Sequence, residues 1–146
     1  MTHTYPYPRP SLTVDIIILK ESEDVPHILL IQRKHPPFEQ HWALPGGFVE
    51  PEEALEAAAR RELEEETALR DMPLQQLVAV GTPGRDPRGW TVSVVFWGWL
   101  EDENADARAG DDATNAAWWP LDDLPPLAFD HSDILKLFHK RVGCEM

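Results

Sequence analysis

Eight glutamates fall between Glu50 and Glu66, against two arginines, Arg60 and Arg61. Carboxylates this crowded repel one another, so they either form a solvated face or hold a cation. On a helix with Glu62 set at zero, Glu65 and Glu66 fall at about −60° and 40°. Leu55, Ala58, Ala59 and Leu69 fall at about 20°, −40°, 60° and −20°. The three carboxylates therefore continue the apolar stripe, whereas Glu53, Arg60 and Glu64 point away. Partly buried carboxylates at i, i+3 and i+4 repel strongly, and a hard divalent cation with a preference for oxygen would relieve them. Spacing alone leaves the solvated acidic helix open as the alternative.

Such a helix needs a frame to hold it against a substrate. Leu12 to Leu19 and His27 to Arg33 are β-rich runs separated by the polar KESEDVP, and they read as two strands joined by a turn. HPPFEQHWALPGG is a loop punctuated by proline and glycine. The helix follows, with Pro51 expected in its first turn and Glu52 and Glu53 at its positive end. Leu74 to Gly81 and Trp90 to Leu100 read as strands joined by TPGRDPRG, and ATNAAWWP reads as a last strand. HSDILKLFHKRV places Ile134, Leu137 and Phe138 at helical spacing and closes the chain as an amphipathic helix. This order predicts an α/β (α+β) fold, a sheet packed between helices. Residues 1–11, which include YPYPRP, read as an extended arm that lies loose or on a neighbouring subunit.

With 146 residues, 42% of them hydrophobic and 27% charged, the chain fits one soluble globular domain. No apolar run approaches the ~20 residues of a membrane span, and MTHTYPYPRP lacks the apolar core of a signal peptide. The single cysteine, Cys144, suits a reducing compartment, so the expected location is the cytoplasm. A formal net charge of −13 argues against binding nucleic acid or an anionic membrane. A small anion can still be held where arginines or a metal ion reverse the sign locally.

The segment from Gly47 to Leu69 resembles the Nudix box, G-x5-E-x7-R-E-U-x-E-E-x-G-U, where U is aliphatic. Gly47, Glu53, Arg61, Glu62, Leu63, Glu65, Glu66 and Leu69 match; Ala68 stands where the family has glycine. The resemblance implies a Nudix-type α/β/α sandwich with a mixed sheet, spanning residues 1–146 as a single domain. It implies metal-dependent hydrolysis of a nucleoside diphosphate linked to another group. Glu62, Glu65, Glu66 and the carbonyl of Gly46 would hold magnesium, or manganese in its place, and Glu53 would pair with Arg61 in a structural role. Glu65, or Asp111 or Asp112 of the AGDDA loop, would supply the general base. If the helix ends at Ala68 in a left-handed conformation, alanine there costs about 1 kcal/mol relative to glycine.

Outside the box, GTPGRDPRGWTVSVVF and LAFDH look like the ADP-ribose pyrophosphatase group. That likeness implies ADP-ribose as substrate, AMP and ribose 5-phosphate as products, and a homodimer. Arg85 and Arg88 are expected to fork onto phosphate or ribose oxygens. Phe38 and Trp42 are the better candidates for stacking on a base, whereas Trp97 and Trp99 read as packing or dimer surface. His35, His41 and His131 lack zinc spacing and read as loop or capping residues. The alternatives are a Nudix hydrolase of another nucleotide, such as an ordinary or oxidised triphosphate, and a non-catalytic ADP-ribose sensor. Such sensors carry a DNA-binding domain, which is not expected in a chain ending at Met146, and the intact Glu62, Glu65 and Glu66 disfavour a pure sensor.

Overall fold

Ser11 to Ser22 form β1, in which every residue from Thr13 to Leu19 is buried. Burial on both faces marks a central strand, and its side chains divide between two cores. Val14, Ile16 and Ile18 face one, Ile17 and Leu19 the other. The computed structural model describes residues 4–101, 107–110 and 113–143.

β2 (Val25–Arg33) returns antiparallel from β1 through a two-residue turn at Glu23 and Asp24, both with positive φ. So tight a turn leaves the polar residues around it in the ladder, and both strands run further into KESEDVP than their apolar runs suggest. β3 (Trp42–Ala43) lies beside β2, and β4 (Gly46–Phe48) pairs with the first half of β1. α1 (Leu55–Thr67) follows, then β5 (Gln75–Val80), β6 (Thr91–Trp99), β7 (Ala113–Pro120) and α2 (His131–Val142). β6 runs parallel to β1, β5 pairs antiparallel with β6, and β7 pairs antiparallel with β2. Among the described residues the sheet is therefore mixed and seven-stranded, with α1 packed on one face and α2 on the other.

β1 changes partner along its length. Leu19 to Ser22 pair with β2, but Thr13 to Asp15 pair with β4. The two long strands separate between these regions, and a cavity opens in the fork.

α1 begins later than its sequence suggests. Pro51 and Glu52 form a turn in which Glu52 has φ 60°, and the helix starts at Leu55 behind Ala54. Glu53 is consequently outside the helix, where its carboxylate accepts a hydrogen bond from the Glu50 backbone and shapes the turn. At the other end Ala68 is left-handed, φ 67°, and its N–H donates to the Glu64 carbonyl. The cap is therefore made by alanine.

On the opposite face Ile134, Leu135 and Phe138 of α2 are fully or almost fully buried. Phe138 meets Trp97 edge-on at 5.4 Å, so part of that indole packs against the core on the α2 side. Among the described residues no helix is long and apolar enough to cross a membrane.

Candidate active site

The cavity in the fork has a volume of about 610 Å³, within the range of small-molecule sites. One wall comes from α1. Glu62 and Glu66, one turn apart, both line it. Glu62 reaches it because Gly47 has no side chain: a Cβ there would stand 2.5 Å from the Glu62 carboxylate. Glu66 Oε2 accepts a hydrogen bond from the Gly46 N–H at 3.3 Å, tying the helix to β4. A Cβ on Gly46 would collide with the Val14 carbonyl, so this glycine too is required by close approach.

Arg61 organises the carboxylates from behind. Nε and Nη2 close a two-pronged contact on Glu53 at 2.7 and 2.8 Å, Nη1 donates to Glu62 at 2.8 Å, and Nη2 also reaches the Phe48 carbonyl. The Glu53 hydrogen bond raises the Arg61 pKa further above its already high value. In return Arg61, helped by the Glu50 backbone, holds the Glu53 pKa down at about 2. Burial pushes Glu62 the other way, above its ordinary value, despite the hydrogen bond from Arg61. A desolvated carboxylate of this kind gains from a further cation.

Glu65 departs from the expected grouping. It is not on the cavity wall: its side chain is 59% exposed and contacts Arg61 Nη1 at 3.4 Å. The helix explains why, since Glu65 is rotated toward Arg61 and away from Glu66. Among the described residues no three acidic or imidazole groups converge as a ready metal cage. Two cavity-facing carboxylates still suit magnesium, which is commonly held by one or two carboxylates together with substrate phosphates. Asp111 and Asp112 lie outside the described residues. The segment leading to them abuts the end of α1, where the Gly110 N–H donates to the Glu66 carbonyl.

The floor carries a pair that its sequence context conceals. Asp15, on the otherwise apolar β1, accepts from the Ser93 hydroxyl and faces His131 Nε2 at 3.5 Å. His131 Nδ1 accepts from the Leu44 N–H at 3.0 Å, which leaves Nε2 to carry the proton toward Asp15. Burial lowers the His131 pKa, so the imidazole is held neutral, in one tautomer. His131 opens α2, so a residue read as a loop or cap is a buried part of the site.

The rest of the lining is cationic and aromatic. Arg33, Arg85 and Arg88 all line it. Arg85 does not reach out as expected: it is forked onto Asp130, and its side chain is only 5% exposed. Arg88 pairs with Asp86 and lies over both Phe48 and Phe129, at 5.3 and 5.0 Å from their ring centres. Arg33 lies 4.9 Å from the same Phe129 ring and donates to the Pro37 carbonyl. Its pKa is lowered by burial and by Arg88. Neither Phe38 nor Trp42 lines the cavity. Phe38 touches Phe129 edge-on, and Trp42 packs against Trp119 in the α2-side core, which removes Trp42 as a stacking platform.

Two carboxylates and a cluster of arginines and aromatic rings thus line one space of nucleotide size. The model of the NUDIX domain matches residues 9–138. An ADP-ribose pyrophosphatase of Methanocaldococcus jannaschii is 45% identical over 130 residues, 89% of this chain and 73% of that protein. The ADPR responsive transcriptional repressor NtrR of Acinetobacter baylyi is 39% identical over 141 residues, which span 94% of this chain but 56% of the repressor. The NUDIX domain of Shewanella oneidensis NrtR, solved in complex with ADP ribose, superposes with a TM-score of 0.86 at 33% identity, covering 95% of this chain and 94% of that one. Fold, box residues and relatives agree: this chain belongs to the Nudix family.

Proposed function

We propose that the chain is a magnesium-dependent pyrophosphohydrolase that splits ADP-ribose into AMP and ribose 5-phosphate, with manganese able to replace magnesium. The observation that carries this reading is the pairing, in one cavity, of Glu62 and Glu66 with Arg33, Arg88 and Phe129. The likeness to an ADP-ribose pyrophosphatase supports the substrate. Water adds to one phosphorus, the bond from that phosphorus to the bridging oxygen breaks, and the two monophosphates leave.

Each group has a task suited to its surroundings. Glu62 and Glu66, with the Gly46 carbonyl, would hold the cation, which supplies charge neutralisation of the pyrophosphate and of the departing phosphate. Arg61, fixed by Glu53, sets the direction of Glu62. Glu65, Asp111 and Asp112 are the candidates for the general base. Arg33 and Arg88 would neutralise phosphate oxygens, and Phe129 fixes both guanidiniums by cation–π contact. The neutral His131 Nε2–H, held toward Asp15, is a donor rather than a charge.

Phosphate recognition by arginines gives a chain of net charge −13 a way to bind an anion that its overall field repels. The same charge disfavours nucleic acid as a partner of this chain, and we place it in the cytoplasm as a homodimer. A sensor without turnover is the second reading, favoured by the 39% identity to a transcriptional repressor. Product analysis decides between them, using ADP-ribose, NADH, a diadenosine polyphosphate and nucleoside triphosphates with magnesium. Efficient release of AMP from ADP-ribose is expected. Preference for a triphosphate would overturn the substrate, and binding without products would establish the sensor.

A further inference from the structure

The Gly46 carbonyl is one of the groups proposed to hold the cation, and glycine is the residue least able to fix its own backbone. It must nevertheless be glycine, since a Cβ there would strike the Val14 carbonyl and the Asp15 side chain. Its direction is therefore set by its neighbours. The Ile16 N–H donates to the Pro45 carbonyl at 2.8 Å, and the Val49 N–H donates to the Leu12 carbonyl at 2.9 Å. Even-numbered residues of β1 thus make the ladder contacts with β4, and Asp15 faces Gly46 as a pair without mutual hydrogen bonds. In such a pair the backbone N–H and C=O of each residue point away from the partner strand. The Gly46 N–H accordingly goes to Glu66, and its carbonyl points to the same side of β4.

Three ties hold the run from Leu44 to Gly46. Gly46 is bound by Glu66 of α1, and Pro45, whose ring fixes its φ, is bound by Ile16 of β1. Leu44 is bound by His131, 87 positions away, whose Nδ1 accepts from the Leu44 N–H at 3.0 Å. The third tie comes from α2, on the opposite face of the sheet from α1.

The imidazole that makes this tie is itself held on every side. Its Nε2 faces Asp15 Oδ1 at 3.5 Å, Asp15 Oδ2 accepts from the Ser93 hydroxyl, and the Phe129 ring lies 5.5 Å from the imidazole. His131, Asp15 and Ser93 are all buried. Asp130, one residue before, is clasped by Arg85 from the loop between β5 and β6. Satisfying one buried N–H calls only for an acceptor. An acceptor whose other nitrogen faces a buried carboxylate, itself held by a hydroxyl, also has its orientation set.

We infer that His131 is a positioning residue of the cation site: through the Leu44 N–H it fixes the run from Leu44 to Gly46, and with it the Gly46 carbonyl. Asp15 and Ser93 orient the imidazole for this task. His131 acts here through the backbone and touches neither cation nor substrate. The inference rests on the cation-dependent hydrolysis proposed above and adds to it a residue from α2.

The test compares His131→Asn with His131→Gln, each of which keeps one half of the contacts of the imidazole. The asparagine amide oxygen falls where Nδ1 is and can accept from Leu44. The glutamine amide reaches the place of Nε2 and leaves the Leu44 N–H without that acceptor. Manganese binding, followed by the loss of free-ion signal in electron paramagnetic resonance, should weaken at least ~10-fold in His131→Gln and stay within ~3-fold of wild type in His131→Asn. Urea unfolding checks that both variants are folded. In turnover of ADP-ribose, His131→Gln should need at least ~10-fold more magnesium for half-activation, and excess magnesium should restore its kcat. A measurement on the wild type needs no variant to fold: by reciprocity, saturating magnesium should slow hydrogen exchange at the Leu44 amide at least ~10-fold. Equal manganese affinity in wild type and His131→Gln, a loss in His131→Asn as large as in His131→Gln, or an unchanged Leu44 amide would overturn the inference and leave the hydrolysis standing. No measurable manganese binding by the wild type would overturn both.

Discussion

Arg85 commits one edge of its guanidinium to Asp130, Nε to Oδ2 at 2.9 Å and Nη2 to Oδ1 at 2.8 Å. Residue 85 lies in the loop between β5 and β6, and Asp130 immediately precedes α2. The pair therefore ties that loop to the helix whose first residue is His131. That contact fixes the direction of the Arg85 guanidinium, so the neighbouring arginines of RDPRG have different surroundings.

Arg85→Ala should destabilise the chain by about 1.5–3 kcal/mol in urea unfolding, since it leaves Asp130 without its charged partner. Arg88→Ala should also destabilise the chain, since it leaves the buried Asp86 carboxylate without its charged partner. Unlike Arg85→Ala, it should in addition raise the Michaelis constant for ADP-ribose by the equivalent of about 1–3 kcal/mol. A raised Michaelis constant in Arg85→Ala and not in Arg88→Ala would show that Arg85 is the phosphate contact.

The difference between these arginines is not visible in RDPRG, because Asp130 lies 45 positions away. The helix, its box residues and its alanine cap were legible because they depend on local spacing and helical phase. The core strands were legible from apolar runs. Asp15, Arg33, Phe129 and His131 were not, since the fold alone brings them to one cavity. One signal was available: an aspartate inside LTVDIIIL, a run buried on both faces, is a charge the core tolerates only with partners. The late start of α1 was hidden for a related reason. Pro51 suits a first helical turn or a tight turn equally, and the tight turn is held by Glu53, which accepts from the Glu50 N–H behind it and from Arg61 ahead.

Ala68→Gly should stabilise the chain by about 0.5–1 kcal/mol, because glycine adopts the observed left-handed cap without a Cβ penalty. Thermal unfolding reads this directly. A lower melting temperature would mean that the helix continues through residue 68.

Gly47→Ala should be damaging although the residue does not have positive φ. A methyl group 2.5 Å from the Glu62 carboxylate must displace either β4 or Glu62. Overpacking of this kind costs about 1–3 kcal/mol. Activity should fall further than stability, since the displaced group faces the cavity. Wild-type turnover in a stably folded variant would contradict the contact.

The Glu53–Arg61 pair sets a pH dependence. Glu53 has a pKa of about 2 in the folded chain, below the roughly 4.3 of an unfolded glutamate. The unfolded state therefore binds more protons between these values, and this contribution to stability is complete above the unfolded pKa. It is lost as pH falls through about 4 toward 2. Glu53→Gln should flatten the acid side of the stability curve in that window, and an unchanged acid limb would show that the pair does not couple to folding.

The most direct test of the account is magnesium-dependent turnover of ADP-ribose, comparing the wild-type chain with Glu62→Gln and Glu66→Gln. The wild type should release one AMP and one ribose 5-phosphate per substrate, and chelation should stop it. Each glutamine variant should remain folded and lose at least ~100-fold in turnover, as expected for a group acting on the charge of the transition state. Near-wild-type turnover by both variants at limiting magnesium would contradict the assignment of these two carboxylates to the metal.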